Sequence, residues 1–434
     1  MKPLSWTGIA RLGLVQMALG SVVVLTTATM NRVMVVELAL PAILPGLLVS
    51  LYYGTQFLRP RFGHGADQGG RRTPWILCGV ALLALGAVCA ALSVGLMERV
   101  AWAGIAAAIP SFLLIGLGIG AAGTNLLALL AARVDEKRQA PAGSLVWIMM
   151  IFGLAATGIT AGILLDPYSH SRLVTVTLGV SAVALMLTCL GVWGQEGKGS
   201  TVPSRAKASF ADVAREFWAT PRMRNFTLFV FASMLAYNLQ DLILEPFAGH
   251  VFGLTVGQST QLGGMHHAGA LMGMLLVLMS GTLLSRWLHV PIRVWVVGGC
   301  VLSGAALTGL AWGGGRAASW PLGPNIFLLG LANGAFAVAA IGAMMRLSRE
   351  GNDGREGLRM GLFGAAQAIA FGAGSFIGTA MVDTMRHLTS DDATAYGIVF
   401  TFEGLVFLIA AVLALRLTTP GASTGGRTAM MPGE

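Results

Sequence analysis

Residues 63–72 read Gly63-His64-Gly65-Ala66-Asp67-Gln68-Gly69-Gly70-Arg71-Arg72. This polar stretch follows the pattern G-x-x-x-D-x-x-G-R-R and separates two apolar runs, 40–58 and 74–96. Its glycines permit a tight turn, and Asp67 can accept hydrogen bonds from helix-end amides or pair with a cation on a neighbouring helix. The pattern therefore predicts a structural latch between helices, formed by Gly63, Asp67, Gly70, Arg71 and Arg72.

The composition of the whole chain indicates a membrane protein. Of the 434 residues, 55% are hydrophobic and only 11% are charged, which leaves too little polar surface to cover a water-soluble globule of this size. A spanning helix needs roughly 20 apolar residues, and long unbroken apolar runs exclude the alternating strands of a membrane barrel. We predict an all-α membrane protein with twelve transmembrane helices, at residues 12–34, 40–58, 74–96, 103–131, 142–165, 173–193, 225–246, 259–284, 292–312, 322–345, 359–382 and 396–416.

The basic residues predict the orientation of these spans. If the N-terminus is cytoplasmic, all but five of the 28 Lys and Arg residues fall on the cytoplasmic side. Those five are Arg32, Arg99, Arg172, Arg316 and Arg386. Cytoplasmic segments of membrane proteins carry such an excess, so we expect both termini in the cytoplasm. The net charge of +9 is then topological and reflects attraction to anionic lipid, which argues against nucleic acid as a partner.

The chain divides into two related parts. We predict a six-helix half at 1–194, a cytoplasmic linker at 195–224 with an amphipathic surface helix around 209–218, a second six-helix half at 225–417, and a cytoplasmic tail at 418–434. The sequence Asn31-Arg32-Val33-Met34-Val35-Val36-Glu37 is echoed by Asn238-Leu239-Gln240-Asp241-Leu242-Ile243-Leu244-Glu245, with one gap. Such repeats are typical of transporter folds built from duplicated halves.

The turn at 63–72 resembles the signature loop of the major facilitator superfamily, in which it acts as a cytoplasmic latch during alternating access. The resemblance implies the major facilitator fold. A reduced copy follows an even-numbered span in the second half, Gly281-Thr282-Leu283-Leu284-Ser285-Arg286. Ser285 stands there in place of the acid, and a hydroxyl group cannot supply the ionic half of a latch.

Three further stretches resemble one branch of that superfamily, the PucC and LhaA family of light-harvesting assembly and bacteriochlorophyll-delivery proteins. They are Arg11-Leu12-Gly13-Leu14-Val15-Gln16, Asn31 through Pro41, and Arg59 through Asp67. The resemblance implies a protein that binds bacteriochlorophyll and delivers it to light-harvesting antenna polypeptides in the photosynthetic intracytoplasmic (inner) membrane of a bacterium. Carotenoid-containing complexes are a further implied ligand.

Acidic residues within the apolar spans are candidate functional residues, because charge inside hydrocarbon is costly. They are Glu37, Asp241, Glu245 and Glu403. Glu37 can form a structural ion pair with Arg32 or belong to a functional site. Asp241 and Glu245 are spaced i and i+4 on one helical face, which suits proton coupling or magnesium ligation, although both can also face the outer aqueous mouth.

His266 and His267 are the two histidines of seven that lie within an apolar span. The magnesium of bacteriochlorophyll takes one axial ligand, which an imidazole nitrogen or a carboxylate oxygen can supply. Adjacent residues point about 100° apart on a helix, so at least one of the pair should face the bundle or a partner. A hydrogen-bonded core histidine is the alternative for each.

Two other functions compete with pigment delivery. The signature loop also suits a secondary transporter of an amphipathic solute, in which Asp241, Glu245 or Glu37 is a candidate for coupling transport to protons. An enzyme of pigment synthesis has less support, because the sequence shows no N-D-x-x-D carboxylate cluster and no phosphate-binding loop. We therefore predict a non-enzymatic protein with no dissociable enzyme cofactor and no metal centre of its own.

Overall fold

The computed structural model describes residues 4–59, 61–62, 71–196, 221–281, 290–349, 356–389 and 391–418, and every regular element within these ranges is a helix. We number them α1 (Trp6–Glu37), α2 (Ile43–Leu58), α3 (Thr73–Arg99), α4 (Ala101–Arg133), α5 (Glu136–Leu165), α6 (His170–Val192), α7 (Pro221–Asp241), α8 (Leu244–Phe252), α9 (Val256–Gly281), α10 (Ile292–Gly314), α11 (Leu322–Arg349), α12 (Glu356–Leu388) and α13 (Asp392–Thr418).

Ten of these helices are long and apolar enough to cross a bilayer, and α7 with α8 forms a bent pair that would make an eleventh span. The all-helical membrane fold is therefore confirmed, whereas the predicted count of twelve is not. The difference arises at α2, which at about 1.5 Å per residue reaches only some 24 Å, less than the roughly 30 Å hydrocarbon core. The predicted span 225–246 is also not continuous, since it bends by about 40° between α7 and α8.

Buried apolar side chains form two large clusters, one mostly from α1–α6 and the other mostly from α7–α13. The two groups of helices meet where α5 packs on α9 and α2 packs on α12. The approach of α5 and α9 depends on small residues, because a Cβ atom at Gly158 would lie 2.8 Å from the Cα atom of Gly264. The boundaries of the two halves and of the linker stay predictions.

The turns after α1, α5, α8 and α12 lie at one end of the bundle, which we call the distal end. There Asp166, after α5, accepts a hydrogen bond from Thr255 Oγ1, after α8, at 3.0 Å. The predicted surface helix at 209–218 lies outside the described residues, and so does the predicted tail at 418–434 apart from Thr418.

Candidate functional site

The break between α7 and α8 is set by the sequence. Proline has no N–H group, so Pro246 cannot donate to the carbonyl of Leu242 four residues earlier, as a continuous helix requires. The Leu242 carbonyl instead accepts a hydrogen bond from Asn31 Nδ2 of α1 at 2.5 Å. This interaction joins the two helix groups and positions Asp241 and Glu245 on either side of the bend.

Glu245 lies inside the bundle, with 3% of its surface exposed. Its Oε2 atom is 3.5 Å from the hydroxyl of Thr260 on α9, and Oε1 has no hydrogen-bond partner among the described residues. Asp241 is half-buried and lies within electrostatic range of three tyrosines, Tyr52, Tyr53 and Tyr237. The structure therefore places Glu245 in the interior and not at the outer aqueous mouth.

Arg32 supplies a buried positive charge at this site. It is 2% exposed, and its Nη1 atom pairs with Glu37 Oε1 at 2.5 Å, which establishes the ion pair considered from the sequence. Its Nη2 atom donates to the carbonyl of Leu254, in the turn after α8, at 2.7 Å. Arg32 also acts electrostatically on Glu245. Glu37 is 39% exposed and connects this buried cation to the distal surface.

His266 points away from these charges, towards α11. Its Nε2 atom is 3.2 Å from Asn333 Nδ2, and Ser303 of α10 donates to Asn333 Oδ1 at 2.8 Å. Because the hydroxyl satisfies the amide oxygen, the amide nitrogen faces the ring and Nε2 acts as the acceptor. His266 therefore has the geometry of a hydrogen-bonded core histidine that joins three helices.

His267 differs from its neighbour. It is 7% exposed, and its Nδ1 atom is buried without a hydrogen-bond partner in the described part of the chain. Thr260, Gly263 and His267 follow helical spacing along one face of α9. A Cβ atom at Gly263 would lie 2.6 Å from Glu245 Oε1, so this face is the one turned towards the buried acid.

Of the five predicted ligand residues, four therefore surround one region. Glu37 pairs with Arg32, which also acts electrostatically on Glu245. Asp241 lies within electrostatic range of Glu245, and His267 lies on the face of α9 that meets Glu245. Within the described ranges, no group of three His, Cys, Asp or Glu side chains could hold a metal ion. An ion that already sits in a macrocycle needs only one axial ligand, and the absence of such a group does not bear on that kind of site.

The predicted latch falls largely outside the described residues, which include Arg71 and Arg72 but not Gly63, Asp67 or Gly70. The second-half copy at 282–286 lies outside them as well. The start of α3 is nevertheless well defined, because Glu196 accepts hydrogen bonds from the backbone amides of Arg72 and of Thr73, the latter at 2.9 Å. Burial alone would raise the pKa of Glu196, but these bonds and the nearby Arg71 lower it.

Sequence reasoning missed two acids that cap helices. Glu196 was assigned to the linker, and Asp383, which binds the amides at the start of α2, follows directly after a predicted span. The available signal was that neither α3 nor α2 has a capping side chain of its own. Glu403, a predicted buried acid, is fully buried in the core of α7–α13, and neither carboxyl oxygen has a partner in the described structure.

Comparison with solved structures shows the fold. The chain superposes on a D-xylose-proton symporter with a TM-score of 0.71 and 14% identity, covering 95% of this chain and 97% of the other. The nucleoside transporter NupG gives a TM-score of 0.67 and 13% identity, covering 95% and 100%. At these identities the similarity concerns the architecture alone, which is that of major facilitator transporters.

Comparison of sequences shows the family. The chain is 49% identical over 412 residues to the "Bacteriochlorophyll synthase 44.5 kDa chain" of Rhodobacter capsulatus, covering 95% of each protein. It is 28% identical over 447 residues to "Protein PucC" of the same species, covering 95% of this chain and 92% of the other. The sequence model of the PUCC protein family matches residues 29–422. The chain therefore belongs to the PucC protein family, on a scaffold shared with major facilitator transporters.

Proposed function

We propose that this protein is a membrane assembly factor that binds bacteriochlorophyll and delivers it to light-harvesting antenna polypeptides while their complexes form. Membership of the PucC family supports a role in the assembly of photosynthetic complexes. The observation that supports pigment binding is the unpartnered Nδ1 atom of His267 inside an apolar bundle. A buried polar atom without a partner is uncommon in proteins and calls for an explanation such as a ligand.

His267 is the axial ligand in this proposal. A neutral imidazole is a common metal ligand, and the magnesium of the macrocycle supplies the Lewis acid that accepts it. His266 is excluded from this role because its Nε2 atom already accepts from Asn333. Glu37 is engaged with Arg32, so Asp241 and Glu245 are the remaining oxygen ligands from the original set.

The protein acts without chemistry on the pigment. The name of its Rhodobacter capsulatus relative refers to bacteriochlorophyll synthase, but a synthase joins two substrates and requires groups that bind a diphosphate. Neither the sequence nor the described residues offer a carboxylate cluster for that purpose. We therefore propose binding and delivery, and not catalysis, as the role of this protein.

The fold and the family support the proposed setting. The antenna polypeptides would approach laterally from lipid in the photosynthetic intracytoplasmic membrane, with both termini of the present chain in the cytoplasm. Carotenoid could accompany the bacteriochlorophyll as a second hydrophobic ligand. The basic residues serve orientation and lipid contact, and no nucleic acid takes part.

The experiment that tests pigment ligation is replacement of His267 by Gly, with His266→Gln as the neighbouring control. His267→Gly should lose most of the co-purifying pigment, and added imidazole should restore it by filling the vacated ligand position. His266→Gln should retain pigment, because His266 serves packing. Full pigment retention in His267→Gly, or loss that imidazole does not restore while folding is intact, would remove His267 from the proposal.

A secondary transporter of an amphipathic solute is the second candidate. The observation that favours it is the buried Arg32 in electrostatic range of Glu245, whose Oε1 atom has no hydrogen-bond partner among the described residues. Charges of this kind mark ion pathways in membrane proteins. Asp67→Asn separates the two functions. A transporter should lose flux when the predicted latch is disabled, whereas an assembly factor that does not cycle should still support antenna formation.

A further inference from the structure

A groove on the flank of the first helix group is separate from the site described above. It has a volume of about 720 Å³ and runs between the start of α3 and the end of α6. Ligand pockets in proteins commonly have volumes of about 300–1,000 Å³. Both walls belong to the same helix group, so the groove takes no part in the α5–α9 and α2–α12 contacts that join the two groups.

The walls of the groove are apolar below its rim, which we define as the end where α3 begins and α6 ends. They include Leu77 and Cys78 of α3 and Cys189 and Val192 of α6. Both thiols are exposed. Since α3 and α6 are long and apolar enough to cross a bilayer, their exposed sides meet lipid. The lower part of the groove therefore has the chemistry of an acyl-chain site.

Trp193 indicates the level of the membrane surface at the rim. Its side chain is 76% exposed and directly follows the last residue of α6. Exposed tryptophans concentrate at the boundary between the hydrocarbon and the headgroups. Cys78 follows Thr73, the first residue of α3, by five positions, a rise of about 7.5 Å. The rim therefore lies at headgroup level, and the two thiols lie at the level of the acyl chains.

The rim carries a positive and a negative side chain. Arg71, which is exposed, comes shortly before α3, Glu196 comes shortly after α6, and both line the groove. Arg11 of α1 is engaged elsewhere, because its Nη2 atom donates to the carbonyls of Leu190 and Trp193 at 2.8 and 2.6 Å. Arg71 is therefore a cation at headgroup level that an anionic group in the groove can reach.

The backbone holds Glu196 in place at the rim. Gly194 has a φ angle of +68°, which glycine adopts without strain, and it turns the chain after α6 back towards α3. The carboxyl oxygens of Glu196 accept from the backbone amides of Arg72 and Thr73. An ionised carboxylate has about four lone-pair sites, so each oxygen can accept a further hydrogen bond. A positively charged donor in the groove would meet an acceptor that is already oriented.

We propose that this groove binds one phospholipid of the phosphatidylethanolamine type. The phosphate accepts hydrogen bonds from Arg71, and the primary ammonium group donates to Glu196. One acyl chain lies along Leu77, Cys78 and Cys189. A cation and an anion at one rim complement a headgroup that carries both charges, and hydrogen bonds between charged groups are the strong ones. Phosphatidylcholine has no N–H group to donate, and phosphatidylglycerol has no cation for Glu196.

Native mass spectrometry of the full-length chain measures this binding. The protein is purified in detergent and mixed with equal amounts of phosphatidylethanolamine, phosphatidylglycerol and phosphatidylcholine. We expect phosphatidylethanolamine to be retained in preference to the other two lipids. Equal retention of the three lipids, or a preference for either of the other two, would overturn the proposal.

Three variants assign the contacts of the headgroup. Arg71→Gln should lower the affinity for phosphatidylethanolamine about tenfold, the factor expected for loss of one charge-assisted hydrogen bond. Arg99→Gln, which removes an exposed cation at the other end of α3, should bind like the parent protein. Glu196→Gln should still bind phospholipid but should lose the preference for phosphatidylethanolamine over phosphatidylcholine. Equal affinities in Arg71→Gln and Arg99→Gln would remove Arg71 from the site and overturn the proposal.

Alkylation of the native cysteines locates the bound lipid. In detergent, added phosphatidylethanolamine should slow the reaction of N-ethylmaleimide with Cys78 and Cys189, as measured on peptides by mass spectrometry. Cys89 of α3 does not line the groove and is the internal control, and Arg71→Gln should abolish the protection. If antenna polypeptides protected these two thiols and the lipid did not, the groove would be an interface for a partner helix and the lipid site would be wrong. These readouts do not depend on pigment, so their failure is distinguishable from failure of the assembly proposal.

Discussion

Asp383 of α12 caps the first turn of α2 from the other helix group. Its Oδ1 atom accepts from the Ala42 amide at 2.9 Å, and its Oδ2 atom accepts from the Ile43 amide at 2.7 Å. Unpaired amides and a partial positive charge are found at every helix N-terminus, and α2 begins after Pro41 without a capping side chain of its own. Asp383 lies some 340 positions later in the sequence. Its carboxylate supplies the capping acceptor that the residues around α2 lack.

Asp383→Asn should weaken this contact. The amide can accept from only one of the two backbone donors and loses the favourable charge, so we expect a cost of about 1–2 kcal/mol. The apparent unfolding temperature in detergent should fall. Asp391→Asn is the matched control, since Asp391 bonds to Thr394 of its own helix and not across the bundle. Equal behaviour of the two variants would show that capping across the groups is not stabilising.

Asn31 should be required for stability, because Pro246 has no N–H group to donate to the Leu242 carbonyl. Asn31→Leu leaves the buried Leu242 carbonyl without its donor, at a cost of about 1–3 kcal/mol. Pro246→Ala restores an N–H group that a continuous helix could use for that carbonyl. The double variant should therefore be less destabilised than the sum of the single variants. Strict additivity of the two unfolding free energies would contradict this account of the bend.

Protonation of Glu196 in acid should lower the free energy of unfolding. Its folded-state pKa lies below the ordinary value of 4.5, so its contribution is fully present above that value and is lost as the pH falls through the folded-state pKa. Stability measured against pH for the parent protein and Glu196→Gln should differ near neutrality and converge in acid. If the difference in unfolding free energy between the two proteins grew on acidification, it would contradict a lowered pKa of Glu196.

Asn333 should contribute to stability through its hydrogen bond to His266 and should not affect pigment ligation. Asn333→Leu leaves the buried His266 Nε2 atom without its donor, and we expect a loss of about 1–3 kcal/mol of stability. Ser303→Ala should cost less, since Asn333 keeps its bond to the ring. Pigment content per folded molecule should be unchanged in both variants. A selective loss of pigment in Asn333→Leu would return His266 to the set of candidate ligands.

The sequence was sufficient for those features that depend on local pattern. Apolar runs predicted the membrane helices, and the turn at 63–72 with the stretches around it indicated the family. The count of twelve is not confirmed, because α2 is short and the chain bends between α7 and α8. The proline directly after Glu245 was a visible signal for that bend.

The roles of the buried polar side chains could not be predicted, because they depend on hydrogen-bond partners far away in the sequence. His266 and His267 are equivalent in sequence, and only Asn333, on another helix, distinguishes the satisfied ring from the unsatisfied one. Asp383 and α2 are likewise joined by packing between helix groups. Periodicity indicates which residues are buried, but it does not indicate which buried polar atoms find partners.

The most direct test of the central claim is the absorption spectrum of the tagged, full-length protein purified in mild detergent from its own pigment-making cells. The account predicts bacteriochlorophyll absorption that follows the protein through size-exclusion chromatography, together with co-purifying antenna polypeptides. A colourless, folded preparation free of antenna polypeptides, obtained from cells rich in pigment, would contradict it.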